Sequence, residues 1–246
     1  MLNLLYSLLA AGCTIALFAL PKWLSLGGAI VPGVLVGLIT AMVLARRTFK
    51  LLEAVMMRGA ACLQSMPPKP EQAIAIMQQA YPLAKRQFGI KSQIDAQIGI
   101  IYFLQREFGR AQPYLTRSLL FGHWMAGAML GVIQYKKKDV AGMRRTFATV
   151  LRKAKNQGLA HSLYAYLLLQ VGDRDGAQKV LSDAAAKPGA DPRVKEGLMA
   201  LQNGRKLKMR AYHEQWYQFH LERPPMVQPT MQAGSKAQRM ARRGRA

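Results

Sequence analysis

Residues 98–118 read IGIIYFLQREFGRAQPYLTRS. Ile98-Gly99 and Tyr102, followed by Phe108-Gly109-Arg110 and Ala111, set a frame that returns weakly about every 33 residues between positions 49 and 222. Leu130-Gly131 with Phe147 marks the next copy, Gly172-Asp173 with Ala177 another, and Gly204 with Trp216 the last. One unit of that length cannot bury its own apolar face, so neighbouring units must stack into a helical solenoid. An all-α fold is therefore expected. Such surfaces mostly bind other molecules.

Within the frame, Gly99 allows two helices to cross closely, while Tyr102, Phe108 and Leu115 fill the space between them. The next copy reads Leu130-Gly131, Tyr135, Lys138-Asp139 and Phe147. A third reads Tyr164-Ala165, Leu168, Val171-Gly172-Asp173-Arg174, Ala177, Leu181 and Ala184, closed by Pro188. Gly131, Ala165 and Gly197 occupy equivalent positions, 34 and 32 residues apart. This pattern resembles the tetratricopeptide repeat, or TPR, over roughly two thirds of the chain. It departs from that family in lacking the early-helix Trp and in placing Pro113 in the first turn of a second helix, where an unpartnered N–H makes proline tolerable. The flanks are poorer matches. Residues 51–64 and 71–81 read as a degenerate first helix pair, and residues 194–202 and 205–221 as a last pair turning at Asn203-Gly204.

The resemblance implies protein–protein binding through a concave face made by the first helix of each pair. That face would carry Ile100, Phe103, Val132, Tyr135, Tyr166 and Leu169, an apolar and aromatic groove suited to a peptide. The competing reading makes some of these residues core between repeats, because a helical apolar stripe usually faces a core. Members of the family that clamp a C-terminal carboxylate use Lys and Asn at fixed concave positions. Here those positions hold Gln93, Ile100, Leu104, Val132 and Tyr166.

The first 45 residues have a different character. Residues 2–20 and 24–45 are uncharged apolar runs, separated by Pro21-Lys22-Trp23 and closed by Arg46-Arg47. At about 1.5 Å per residue they span roughly 28 and 33 Å, the thickness of a bilayer's hydrocarbon core. A transmembrane hairpin is expected, with Trp23 as an interfacial anchor. Arg46, Arg47, Lys50 and Arg58 place its charged end, and hence the repeat domain, in the cytoplasm beneath an inner (cell) membrane. A cleaved signal peptide lacks its basic n-region here. Ala10-Ala11-Gly12-Cys13 resembles a lipoprotein box but has the same defect. Ala29, Gly33, Gly37, Ala41 and Ala45 form a small-residue row, which packs either within the hairpin or against a second copy. The chain thus divides into a hairpin (1–45), a TPR-like helical domain (46–222) and a basic tail (223–246) without apolar period, expected to be disordered. Trp216, Phe219 and Leu221 are expected to cap the solenoid.

Charge is uneven. The formal net charge is +23, with the carboxylates confined to residues 46–222. Lys136, Lys137, Lys138, Arg144, Arg145, Arg152, Lys153 and Lys155 concentrate positive charge, which attracts anionic lipid, nucleic acid or acidic protein. No motif for reading bases accompanies them. His123, His161, His213 and His220 are scattered, Cys13 and Cys62 lack an activating histidine, and no phosphate loop occurs, so neither enzyme chemistry, cofactor nor metal is expected. The expected function is that of a membrane-anchored scaffold or adaptor recruiting a protein partner. The alternative is a membrane-tethered RNA or ribosome binder using the basic surface and tail.

Overall fold

The computed structural model describes residues 2–20 and 25–224, and these are all-helical, with no strand. In chain order the helices are α1 (Leu2–Ala19), α2 (Leu26–Gln64), α3 (Pro70–Gln78), a 3₁₀ turn (Tyr81–Lys85), α4 (Ile90–Leu104), α5 (Phe108–Ser118), α6 (Trp124–Lys136), α7 (Val140–Lys153), α8 (Gly158–Gln170), α9 (Arg174–Ala185) and α10 (Pro192–Gln202). A second 3₁₀ turn (Met209–Tyr212) and the short α11 (Glu214–Tyr217) follow. The turn at Pro21-Lys22-Trp23 and the tail beyond Pro224 lie outside the described residues.

α1 and α2 form an antiparallel hairpin, and both are long and apolar enough to cross a membrane. The small-residue row faces α1, not outward. A Cβ on Gly37 would lie 3.0 Å from Ala11 Cβ and 3.3 Å from Ser7 O, and one on Gly33 would strike Ile15. Outward-facing Leu8, Leu17, Val31 and Leu38 are more than half exposed among the described residues.

Helix α2 does not stop at Arg46-Arg47. Its 39 residues run to about 58 Å, nearly twice a bilayer core. The boundary drawn at residues 45/46 thus falls inside one continuous helix. Residues 51–64 are its far end, where Leu52, Val55 and Gly59 pack against Ala73, Ile74 and Met77 as the first helix pair. No proline occurs between Ala45 and Gln64, Gly59 is the poorest helix former there, and Leu, Ala, Met, Glu, Arg and Lys favour helix, so the periodicity carries through the change of polarity.

From α4 onward one geometry recurs. Gly99 and Gly131 sit where the next helix presses hardest, and Gly197 where Leu207 of the following segment does; a Cβ on Gly99 would lie 2.6 Å from Leu115, and one on Gly131 would enter the Phe147 ring. Ala165, at the fourth equivalent position, is fully buried. Seven residues beyond each lies a left-handed residue: Arg106 (φ 64°), Lys138 (φ 63°), Gly172 (φ 83°) and Gly204 (φ 72°). At every one the chain makes the same pair of bonds. Glu107, Asp139, Asp173 and Arg205 donate main-chain N–H five residues back, to Tyr102, Gln134, Leu168 and Ala200, while the residue before each bonds three back. This is the Schellman ending, which satisfies the last carbonyls of a helix and turns the chain sharply. Asp139 and Asp173 then cap the following helices through Gly142 and Gly176 N–H, each at 2.8 Å. α4, α6, α8 and α10 touch in succession, with α5, α7 and α9 packed behind them. One apolar core runs from Leu52 to Phe219.

The last expected pair does not form. α10 is there, but residues 205–222 are not a helix. They pass through the 3₁₀ turn and α11 as a strap, and fold back across the stack instead of capping its end. Met209, Tyr212, Trp216 and Phe219 mimic a helical stripe in spacing, yet His213 (φ 49°) and His220 (φ 52°) leave the helical region entirely. Such backbone costs about 1–3 kcal/mol per residue and persists only where the surroundings over-determine it.

Candidate functional site

The face lined by α4, α6 and α8 collects the residues expected to form a groove. Phe103 and Val132 are fully buried, and Ile100, Tyr135, Tyr166 and Leu169 are half-buried against the core. The face is not open; the strap lies on it. Tyr212 Oη and Ser162 Oγ share a hydrogen bond of 2.8 Å. The Trp216 indole meets Tyr166 edge-on with centroids 4.9 Å apart, and the His220 ring stacks on Phe103 at 5.7 Å. Lys136 Nζ donates to His220 O at 3.0 Å and stands 4.5 Å over the Phe108 ring. Phe103 and Tyr166 therefore pack both against the core and against this segment.

Electrostatics on this face follow from burial. Burial pulls the His220 pKa down, and the nearby Arg106 and Lys136 charges add to that, against opposing hydrogen bonds to Leu104 and Phe103 carbonyls. His161, under α9 and beside Lys187, is likewise held down mainly by burial; its Nδ1 lies 3.0 Å from Gln157 O. Burial raises the Tyr166 phenol, and Glu222 at the end of the strap raises it further. Lys136 is lowered by burial and by Arg106.

Three histidines with depressed pKa values, His123 (lowered by burial and by Lys153), His161 and His220, make stability depend on pH. The unfolded chain takes up protons near the ordinary histidine value of 6.5, where the folded chain still refuses them. Stability is therefore complete above that pH and falls as pH drops toward the depressed values. Melting curves between about pH 7.5 and 5 should show Tm falling through that window. His220→Gln should make the curve shallower, because glutamine takes up no proton, while His123 and His161 keep the remainder.

The basic patch is divided by the fold. Lys136, Lys137 and Lys138 end α6 at one edge of the stack; Arg152, Lys153 and Lys155 end α7 at the opposite edge, with Arg144 and Arg145 between. Several are committed within the molecule. Arg144 pairs with Asp173 at 2.7 Å, Lys137 bonds Gln112, and Lys153 bonds the carbonyls of Leu119 and Gly122. Seven-residue spacing does put Arg145 and Arg152 on one helix, but it cannot bring the two ends of that helix together.

One polar cluster had no counterpart in the sequence reading. Asp95, only 1% exposed, accepts from Tyr81 Oη at 2.6 Å and from Arg117 Nε at 3.1 Å, tying the 3₁₀ turn to α4 and α5. Its signal was a lone carboxylate amid Ile94, Ala96 and Ile98. Among the described residues no three His, Cys, Asp or Glu side chains converge. The chain matches no family model, no curated protein and no solved structure.

Proposed function

We propose that the chain is a membrane-anchored scaffold of the tetratricopeptide type, which recruits a protein partner at the cytoplasmic face of the inner membrane. The observation that carries this reading is the strap. A largely irregular segment lies on the α4, α6 and α8 face through Trp216, Phe219 and His220, which supports a face suited to aromatic side chains. Supporting it are the recurrence at Gly99, Gly131, Ala165 and Gly197, the lipid-like exposure of α1 and α2, and the arginines where α2 changes polarity. A partner engages the half-exposed rim, Tyr135 and Leu169, or displaces the strap. A tethered competitor acts at an effective concentration of order mM, so displacement demands a tight partner. The nucleic-acid alternative has less support, because its patch is split between two edges and partly spent on internal acceptors.

A crosslinking pulldown of the detergent-solubilised full-length protein, with and without nuclease, tests the choice. A nuclease-resistant protein partner is expected. Tyr135→Ala combined with Tyr166→Ala should weaken its capture by roughly tenfold or more, as for hot-spot aromatics. Capture that survives the double variant would remove the face from the binding site. Recovery of RNA that vanishes with nuclease would favour the alternative.

A further inference from the structure

Chain direction alternates through the stack. α2, α4, α6 and α8 run away from the hairpin's charged end, and α3, α5, α7 and α9 return toward it. The junctions after the returning helices therefore share one edge. The molecule marks where that edge lies: Asn3 donates its main-chain N–H to Arg86 O at 3.0 Å and its side chain to Thr48 Oγ1 at 2.9 Å. Asn3 opens α1, and Thr48 follows the Arg46-Arg47 pair, so residue 86 stands level with the end of the apolar hairpin.

At that level the junctions before α4 and before α6 expose apolar and aromatic side chains, unlike ordinary loops. Phe88 is 61% exposed, Leu120 66% and Phe121 49%, and the two phenyl rings meet edge-on with centroids 4.6 Å apart. Phe121 borders a cavity of about 320 Å³ whose other wall is Leu52 and Met56, one to two turns beyond Thr48 on α2. Lys153 ties the next junction to this one through Gly122 O at 2.9 Å. Residues 86–89, 119–123 and 154–157 contain no carboxylate and the fourth junction, after α9, carries one, Asp191, whereas the opposite edge carries Glu107, Asp139 and Asp173 at its turns. Aromatic side chains flanked by cations suit the headgroup layer of an anionic bilayer. Water gives exposed phenyl pairs no compensation.

We propose that residues 86–89, 119–123 and 154–157 form a lipid-contacting edge, which seats Phe88, Leu120 and Phe121 in the interface of the leaflet that anchors the hairpin. The partner is an anionic phospholipid surface. The edge fixes the tilt of the repeat stack against the membrane, leaving the α4, α6 and α8 face directed sideways and Lys136–Lys138 directed away. This inference rests on the reading that α1 and α2 cross the bilayer.

The test uses full-length protein reconstituted into vesicles, with both native cysteines replaced by alanine and a single environment-sensitive fluorophore at Phe121→Cys, Lys138→Cys or Leu38→Cys. Quenching by doxyl groups placed high or deep on the acyl chains is read in phosphatidylcholine alone and with phosphatidylglycerol. Shallow quenching several-fold stronger at position 121 than at 138, increased by phosphatidylglycerol, is expected. Position 121 as unquenched as 138 would overturn the proposal, as would a fluorophore there shielded from water yet untouched by doxyl lipid, which means a protein covers it. Equal quenching in both lipids would overturn its anionic part. Position 38, in the apolar half of α2, separates the premise: deep quenching there with none at 121 sinks the edge alone, and no quenching at 38 sinks the spanning hairpin itself.

Discussion

Trp216→Ala is expected to cost about 3–5 kcal/mol, the range for truncating a fully buried aromatic, and so to lower Tm by roughly 6–20 °C. Trp216 is 0% exposed and bridges Tyr166 to Phe219, which is itself fully buried. Removing it leaves a cavity under a backbone already strained at His213 and His220, so the strap should detach before the repeats melt. Hydrogen exchange separates the two events: amides of residues 209–221 should lose protection first, with those of α4 and α6 following only near the global midpoint. The indole Nε1–H meets no acceptor among the described residues. Trp216→Phe therefore removes an unpaired buried donor along with some contact area, and should cost far less than the alanine variant. Similar losses for both would mean that the indole N–H, not the aromatic bulk, holds the strap.

Asp95→Leu has the second large effect, about 2–3 kcal/mol of destabilisation. The carboxylate is buried but Arg117 is 47% exposed, so solvent screens much of the ion pair and the attraction itself is worth little. The cost comes mostly from the Tyr81 hydroxyl, left without its acceptor in a partly buried site. Asp95→Asn retains an acceptor oxygen and should lose roughly half as much. A cycle with Arg117→Met, read by denaturant unfolding in detergent, isolates the ion pair; a coupling above about 1 kcal/mol would show that the charge matters more than the hydroxyl. The same substitution should loosen residues 81–89, whose Arg86 carbonyl receives the start of α1. Asp95 thus connects the core to the membrane-proximal edge.

Much of the architecture was legible because it depends on neighbours in sequence. Two uncharged runs of bilayer length predict helices whatever surrounds them, and both are present. The regular return of small residues at 99, 131, 165 and 197 locates the close contacts of these helices with the chain that follows, since only a missing or minimal Cβ leaves the space. The turns seven residues later were half-visible: Gly172 and Gly204 announce left-handed backbone, but Arg106 and Lys138 adopt it without any sequence signal.

The sequence by itself determined the helical class, the apolar hairpin and the spacing of the repeated pairs, because hydrophobic period, chain stiffness and turn chemistry act over a few residues. Tertiary structure alone decided that residues 205–222 leave the helix to cover the aromatic face, and that one basic run is shared between opposite edges. It also decided that Asp95 finds its partners 14 residues before and 22 after it. Those outcomes depend on which surfaces meet once the helices have stacked. An aromatic spacing that suits a helix suits a strap equally well when burial against Phe103 and Tyr166 outweighs the local cost of left-handed backbone at two histidines.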